Sequence, residues 1–163
     1  MNVQVDELDR QILRALYDDV RASYKSIADK LGVSHNTVKA RMDRMVEDGV
    51  FTFAIVTDPP RVGLAATAYL AITVESSHID EIAAKIAARK EVSYMGLMIG
   101  EGDILALVHF TGNDALFRFV HGFVGHLPGV VSVKTMLMCA TVKGLPDRNV
   151  SLVGAAEEDA SQA

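Results

Sequence analysis

Residues 26–49, SIADKLGVSHNTVKARMDRMVEDG, decide how the N-terminal part of this chain folds. Apolar residues recur there at helical spacing, which predicts two short helices. Gly32 suits the left-handed end of the first helix, and Ser34 suits the N-cap of the second, which ends at Gly49. The buried stripe of the second helix is expected at Val38, Met42, Met45 and Val46. So short a turn makes the helices cross steeply, as in a helix-turn-helix that places its second helix in a DNA major groove.

The buried stripe also predicts which side chains face outward, because successive residues turn by about 100° around a helix. Asn36, Thr37, Ala40 and Arg44 are expected to point away from the domain, with Lys39 and Arg41 on the flanks. We expect base contacts from His35, Asn36, Thr37 and Ala40. We expect phosphate contacts from Tyr24, Lys25, Ser34, Lys39, Arg41 and Arg44. The alternative is an amphipathic surface helix whose polar face is merely solvated.

The distribution of charge favours the DNA-binding interpretation. The 163 residues carry a formal net charge of −5, which by itself disfavours a polyanionic partner. Between Val20 and Val46, however, six basic side chains stand against two acidic ones. The acidity therefore belongs to the rest of the chain, and the helix-turn-helix is locally basic.

Composition narrows the class of protein. Half of the chain is apolar, which is typical of a globular protein. The first residues, MNVQVDELDR, lack the basic and apolar regions of a signal peptide, and no apolar run reaches membrane-spanning length. The single Cys139 excludes an internal disulfide and agrees with a reducing compartment. We expect a cytoplasmic protein.

The N-terminal domain is expected to span residues 1–49. Asp6 can cap a supporting helix that carries Leu8, Ile12, Leu13 and Leu16 at helical spacing. The following VFTFAIVT, residues 50–57, is β-branched and aromatic and predicts a wing strand that leaves the domain. Asp58-Pro59-Pro60 breaks that strand, so residues 50–64 are interpreted as wing and linker.

A second domain is expected over residues 65–143, with the element order βαββαβ. Its predicted strands are ATAYLAITVE, VSYMGLMI, ILALVHF and VVSVKTMLMCATVK, and its helices follow Ser77 and Asn113. This order is the split βαβ of ferredoxin-like folds, with both helices on one face of an antiparallel sheet. The strands are apolar on both faces, which predicts that the bare face pairs with another subunit. Residues 144–163 are small and acidic and are interpreted as a mobile tail.

The chain resembles the Lrp/AsnC family of leucine-responsive, or feast/famine, transcriptional regulators from about Val5 to Gly144. In the second domain the resemblance rests on Gly100-x-x-Asp103 and on Leu127-Pro128-Gly129-Val130, each of which precedes a strand. In the first domain it rests on Asp6, Asp9, Ile12-Leu13, Leu16, Arg21, Ile27-Ala28, Leu31-Gly32, Ser34, Val38, Arg41-Met42, Arg44-Met45 and Gly49-Val50.

The resemblance implies an α+β protein, with an N-terminal winged helix-turn-helix and a C-terminal ferredoxin-like domain, that regulates transcription by binding double-stranded DNA. It also implies homodimers that pair through their sheets, often assembled into tetramers or octamers. An amino acid or related effector would bind between dimers, near Met98, Gly100, Glu101, Gly102, Asp103 and Thr135. The alternative is a plain hairpin turn whose acids face solvent. Gly102 departs from the larger residue common in the family, which leaves less to select a ligand.

An enzyme is the opposing class, because some proteins with this two-domain layout are sirohaem decarboxylases. The available acid–base groups are His35, His78, His109, His121 and His126. They form no recognisable constellation, and there is no zinc spacing, phosphate loop or nucleophile motif. His121 and His126 are five residues apart on one helix and His109 is alone in an apolar strand, which is typical of hydrogen-bonded or exposed histidines. We therefore predict no catalytic residues, no metal and no cofactor.

Overall fold

The computed structural model describes residues 5–142, in two compact units that divide between Phe53 and Ala54. The predicted acidic tail, residues 144–163, lies outside the described residues. Within the described part of the chain, no helix has the length and apolar character needed to cross a membrane.

The first unit is a three-helix head. Its helices are α1, Glu7–Asp18, α2, Tyr24–Leu31, and α3, His35–Glu47. They enclose one apolar core made of Ile12, Ala15, Leu16, Ile27, Ala28, Val38, Met42 and Met45. Each large side chain buried there contributes roughly 1.5–3 kcal/mol. The core confirms the predicted buried stripe except at Val46, which is 42% exposed near the end of α3.

Local signals placed the helix boundaries correctly. Asp6 forms a capping box with Asp9, each carboxylate accepting the other residue's backbone N–H. Gly32 has φ 67° and ends α2 in the left-handed region. These contacts join residues no more than a few positions apart, so a single sequence suffices to predict them.

The predicted wing strand at residues 50–57 is wrong for this single chain. Residues 51–58 adopt neither helix nor strand, and a short 3-10 helix, Pro59–Val62, follows. Phe51 packs against the head core, whereas Ile55 is 85% exposed. A β-branched segment becomes a strand only when another strand satisfies its backbone hydrogen bonds, and no described strand does so here.

The second unit is a four-stranded antiparallel sheet with helices, and it confirms the predicted βαββαβ order. Its elements are β1, Ala66–Val74, α4, Ile79–Ala87, β2, Val92–Leu97, β3, Ile104–Phe110, α5, Asn113–Phe117, and β4, Val130–Leu137. The strands lie in the order β2-β3-β1-β4. This places β1 and β3 in the centre, where Ala66 pairs with Phe110 and Ile72 with Ile104.

Three details of this unit differ from prediction. Asn113 is the first residue of α5 rather than its cap, and Gly112 occupies the cap position without a side-chain hydrogen bond. The helix then widens into a π-helical turn, Arg118–Phe123, and ends in a 3-10 turn, Val124–His126. The last strand ends at Leu137, six residues before the predicted limit of Lys143.

One face of the sheet carries the core. Alternate residues of β1 and β3, such as Leu70, Ile72 and Val108, are buried against Ile82 and Ile86 of α4 and against the Phe119 region.

The residues between them point to the second face of the sheet. Tyr69, Ala71 and Leu105 are half-buried there, while Tyr94 and Met136 are 55% and 42% exposed. We call this set the open sheet face. Its apolar character agrees with the expectation that the sheet meets another subunit.

Candidate DNA-binding surface and effector site

The N-terminus of α3 is held by side-chain caps. The Ser34 hydroxyl accepts the Thr37 backbone N–H at 3.0 Å, and the Ser34 and Thr37 hydroxyls are 2.8 Å apart. Both hydroxyls therefore stabilise the start of the helix. If Ser34 also contacts a phosphate, as predicted, it must use the same hydroxyl that already caps α3.

The exposed face of α3 carries Asn36 and Ala40, as the helical wheel predicted, together with Lys39, which was expected on its flank. Thr37 is half-buried beside them. An amide, a small apolar side chain and a hydroxyl on adjacent helical turns form a surface that can read base edges in a major groove.

His35 sits at the edge of this surface rather than at its centre. Its ring packs edge-on against Tyr24 of α2, with 5.7 Å between the ring centroids, and its Nδ1 is 3.4 Å from Asn36 Oδ1. Tyr24 is half-buried against the head core. The aromatic contact joins the N-termini of α2 and α3, the two helix ends from which phosphate contacts are expected.

The basic side chains of this surface differ in how they are held. Lys25 is exposed on α2. Lys39 pairs with Asp43 one turn later at 3.0 Å, and this hydrogen bond raises the pKa of the Lys39 ammonium. Both partners are about half exposed, so the pair is weak and can open.

Arg41 and Arg44 are both held by carboxylates at the start of α1. Arg41 bonds to the carboxylates of Asp6 and Asp9, and Arg44 bonds to Asp9 at 2.5 Å. Arg44 is exposed, as predicted, with 43% of its side chain accessible, but its guanidinium bonds to the buried carboxylate of Asp9 on α1. This geometry does not favour phosphate contacts for either arginine.

The predicted effector loop is a hairpin between β2 and β3 that contains Gly100 and Gly102. Asp103 holds its base: Oδ2 accepts the Val74 N–H at 2.9 Å, and the Asp103 N–H donates to the Ile72 carbonyl at 2.9 Å. One carboxylate oxygen is thus committed to the fold. Gly102 has φ 101°, and a Cβ there would meet the Ile72 carbonyl oxygen at 3.4 Å. Glycine at this position fits the backbone, irrespective of any ligand.

Met98 and Thr135, two other predicted effector residues, are exposed. Met98 is 47% exposed. Thr135 lies on edge strand β4 opposite Leu70. Glu101 pairs with Lys134 at 3.1 Å, and both side chains are largely exposed. Lys134 was missed in the sequence because the register of β4 against β1, which sequence spacing does not reveal, brings it to the hairpin.

The histidines do not converge. His109 is buried and lies 2.9 Å from both the Thr67 and the Ser93 hydroxyls, so its ring is satisfied by hydrogen bonds within the sheet. His126 Nδ1 is 2.6 Å from the His121 carbonyl. Among residues 5–142, no group of three or more histidine, cysteine or acidic side chains is placed to hold a metal ion.

Both units match known protein families. Residues 5–46 match the AsnC-type helix-turn-helix domain, and residues 67–146 match the Lrp/AsnC ligand binding domain. The chain is thus a DNA-binding transcriptional regulator with a helix-turn-helix head and a ligand-binding domain. It belongs to the Lrp/AsnC family.

Relatives and solved structures agree. An uncharacterized HTH-type transcriptional regulator of Pyrococcus abyssi is 32% identical over 142 residues, which cover 86% of this chain and 90% of that protein. The structure of E. coli AsnC superposes with a TM-score of 0.77 at 26% identity, covering 87% of this chain and 97% of AsnC. A transcriptional regulator of Neisseria meningitidis, solved in complex with L-Met, shares the fold with a TM-score of 0.76 at 20% identity, over 88% of this chain and 96% of its own.

Asp6 provides a pH-dependent test of the head. The hydrogen bond from Arg41, followed by the Asp9 backbone N–H, lowers the pKa of the Asp6 carboxyl from 3.8 to about 2. The unfolded chain therefore binds more protons between these values, so the stabilisation from Asp6 is complete above pH 3.8 and is lost as pH falls towards 2. Carboxyl-carbon NMR should show Asp6 titrating near 2, and Arg41→Gln should move its pKa back towards 3.8.

Arg21→Gln is the matched control, since Arg21 is an exposed arginine of the same unit that does not contact Asp6. An Asp6 pKa unmoved by Arg41→Gln would contradict the ion pair.

Proposed function

We propose that this regulator reads DNA with the exposed face of α3 and acts as a homo-oligomer whose ligand-binding domain responds to a free amino acid. The observation that carries the proposal is the two-sided character of α3. Val38, Met42 and Met45 are buried, while Asn36, Lys39 and Ala40 on the opposite side are exposed. Two heads of a dimer would read half-sites roughly 34–36 Å apart, or a multiple of that spacing.

Roles on this surface follow from side-chain chemistry. Asn36 would pair bidentately with adenine, and Ala40 and Thr37 would contact neighbouring base edges, with His35 at the margin. Lys39, Lys25 and Tyr24 would contact phosphates. Lys39 would exchange its weak pair with Asp43 for a phosphate oxygen.

Substitution of Asn36 and Lys39 should separate these roles. Asn36→Ala should reduce discrimination between the selected DNA sequence and single-base variants by about 1–3 kcal/mol, because a base contact is lost. Lys39→Ala should weaken binding to all sequences and reduce the slope of log Kobs against log salt by about 0.9 per phosphate contact. Fluorescence anisotropy over a range of salt concentrations, with DNA selected from a random pool by the protein itself, measures both quantities.

Arg10→Ala is the control for charge alone, since Arg10 is exposed on α1 and pairs with Glu7. If Asn36→Ala changed neither affinity nor base preference, the proposed orientation of α3 on DNA would be wrong.

Association would use the open sheet face. Leu105, Tyr69 and Tyr94 present apolar surface there, and a protein of this family that remained a monomer would leave it in water. Pairing of two copies through this face would bury it and bring two heads onto one DNA molecule. Two linked heads bind far more tightly than one, because the second contact becomes intramolecular.

Leu105→Arg should therefore lower the mass of the protein in solution. A charge in the centre of an apolar interface costs several kcal/mol when it has no partner. Sedimentation equilibrium at micromolar concentration would measure the shift, with circular dichroism to confirm folding. Tyr17→Arg, on a residue of the head that is 87% exposed, should leave the mass unchanged. An unaltered mass for Leu105→Arg would exclude this face as the interface.

An amino-acid effector fits the exposed pair at the hairpin. The Glu101 carboxylate and the Lys134 ammonium are 3.1 Å apart and largely exposed, so the pair contributes little and opens readily. Once open, it offers a carboxylate to a ligand's ammonium and an ammonium to its carboxylate. The match of residues 67–146 to a ligand-binding domain supports this location. The effector would alter DNA binding only as far as it binds different assemblies with different affinity.

A thermal-shift screen of the twenty common amino acids should identify a stabilising ligand for the wild-type protein. Glu101→Gln should reduce that shift, because one half of the recognition pair is lost. Glu81→Gln removes a comparable exposed pair with Lys85 on α4 and should leave the shift intact. The proposal fails if no amino acid shifts the wild type, or if Glu101→Gln responds as the wild type does.

We propose that the chain is not an enzyme. The relatives and solved structures described above are transcriptional regulators, and the described histidines do not assemble a site. Nothing in the described structure favours the sirohaem decarboxylase alternative.

A further inference from the structure

Four charged side chains meet where α1 packs beside α3. We name Asp6, Asp9, Arg41 and Arg44 the Asp9 cluster. Asp9 is completely buried, and it is the sole charged residue of the head core among the described residues. Its carboxylate accepts Arg41 Nη1 at 3.2 Å, Arg44 Nη2 at 2.5 Å and the Asp6 backbone N–H at 3.0 Å.

Burial makes this geometry demanding. A carboxylate removed from water is strongly destabilising unless hydrogen-bonded partners surround it. Asp9 obtains two such partners from α3, 32 and 35 residues along the chain. Rotation or sliding of α3 would separate both guanidinium groups from Asp9. The cluster therefore restricts the orientation of α3 more closely than apolar contacts, which have no fixed direction.

The cluster lies on the flank of the helix that carries Asn36 and Ala40. Arg41 is hydrogen-bonded to both Asp6 and Asp9, and these bonds raise its pKa further. Its charge is neutralised within the head. Arg44 retains 43% exposure of its side chain, yet its guanidinium bonds to the buried carboxylate.

We propose that Asp9, Arg41 and Arg44 are positioning residues for DNA recognition. They hold α3 at the angle that presents Asn36 and Ala40 to the groove, and the arginine charges are internal partners of Asp9 rather than phosphate ligands. The inference rests on the proposed use of α3 as the reading helix. It assigns a recognition role to a side chain that cannot itself touch DNA.

Asp9→Asn should change DNA affinity in opposite directions if the arginines position α3 and if they bind phosphates. If the arginines bound phosphates, loss of the competing carboxylate would release them, and DNA of any sequence would bind more tightly with a steeper salt dependence. If they position α3, Asp9→Asn weakens binding to selected DNA and leaves the salt dependence unchanged. The substitution is isosteric, and the amide oxygen can still accept the Asp6 N–H.

The experiment measures affinity for selected and for unrelated DNA with the full chain, at several salt concentrations. Asp9→Asn and Arg44→Gln should each weaken binding to selected DNA roughly tenfold, with a smaller effect on unrelated DNA. The double variant should be no weaker than the weaker single variant, because both substitutions break the same contact. The salt slope of each variant should stay within about 0.3 of the wild-type value, less than one phosphate contact.

Lys39→Gln is the positive control for loss of a phosphate contact: it lies outside the cluster and should lower the salt slope by about 0.9, which the cluster variants should not do. Circular dichroism and thermal melting establish that each variant is folded. If Asp9→Asn does not fold, Arg44→Gln alone decides the question through its salt slope and its ratio of selected to unrelated affinity.

Tighter binding by Asp9→Asn, a slope reduced by about 0.9 or more in Arg44→Gln, or unchanged affinities in the folded variants would each overturn the positioning role. Failure of Asn36→Ala to alter base preference would instead count against the proposed use of α3. The two hypotheses can thus fail independently.

Discussion

The apolar contact that buries one side of α3 determines what the rest of the head can do. Val38 and Met42 pack in one core with Ile12 and Ile27. This packing determines which side chains of α3 face the solvent, whether or not DNA is bound. A helix of 13 residues would be marginal alone in water, since helices this short depend on tertiary packing. The core of the head thus fixes both the existence of the reading surface and its composition.

Charge in the head is divided between two tasks. Lys25 and Lys39 remain at the surface, whereas Arg41 and Arg44 neutralise a buried carboxylate. The local excess of basic residues therefore overstates the charge that is free to meet a phosphate. The same reasoning applies to any basic helix, because guanidinium groups pair bidentately with carboxylates and are readily recruited into internal contacts.

The sheet unit follows a different constraint, the satisfaction of backbone hydrogen bonds. β1 and β3 are paired on both sides, while β2 and β4 are edges, and segment 51–58 has no described pairing partner. Apolar side chains on the open sheet face agree with assembly between copies, as does membership of a family of oligomeric regulators. Edge strands with unpaired backbone groups and uncovered apolar faces in one copy can bind a second copy.

Local signals in the sequence determined the three helices, their caps at Asp6, Ser34 and Gly32, the βαββαβ order and the exposed position of Asn36. Each depends on hydrophobic periodicity or on contacts within a few residues. Tertiary structure alone decided that Arg44 bonds to Asp9, that Asp103 holds the Val74 N–H and that Lys134 meets Glu101. These contacts join residues about 30 positions apart, and their geometry depends on strand register and helix packing, which periodicity does not encode.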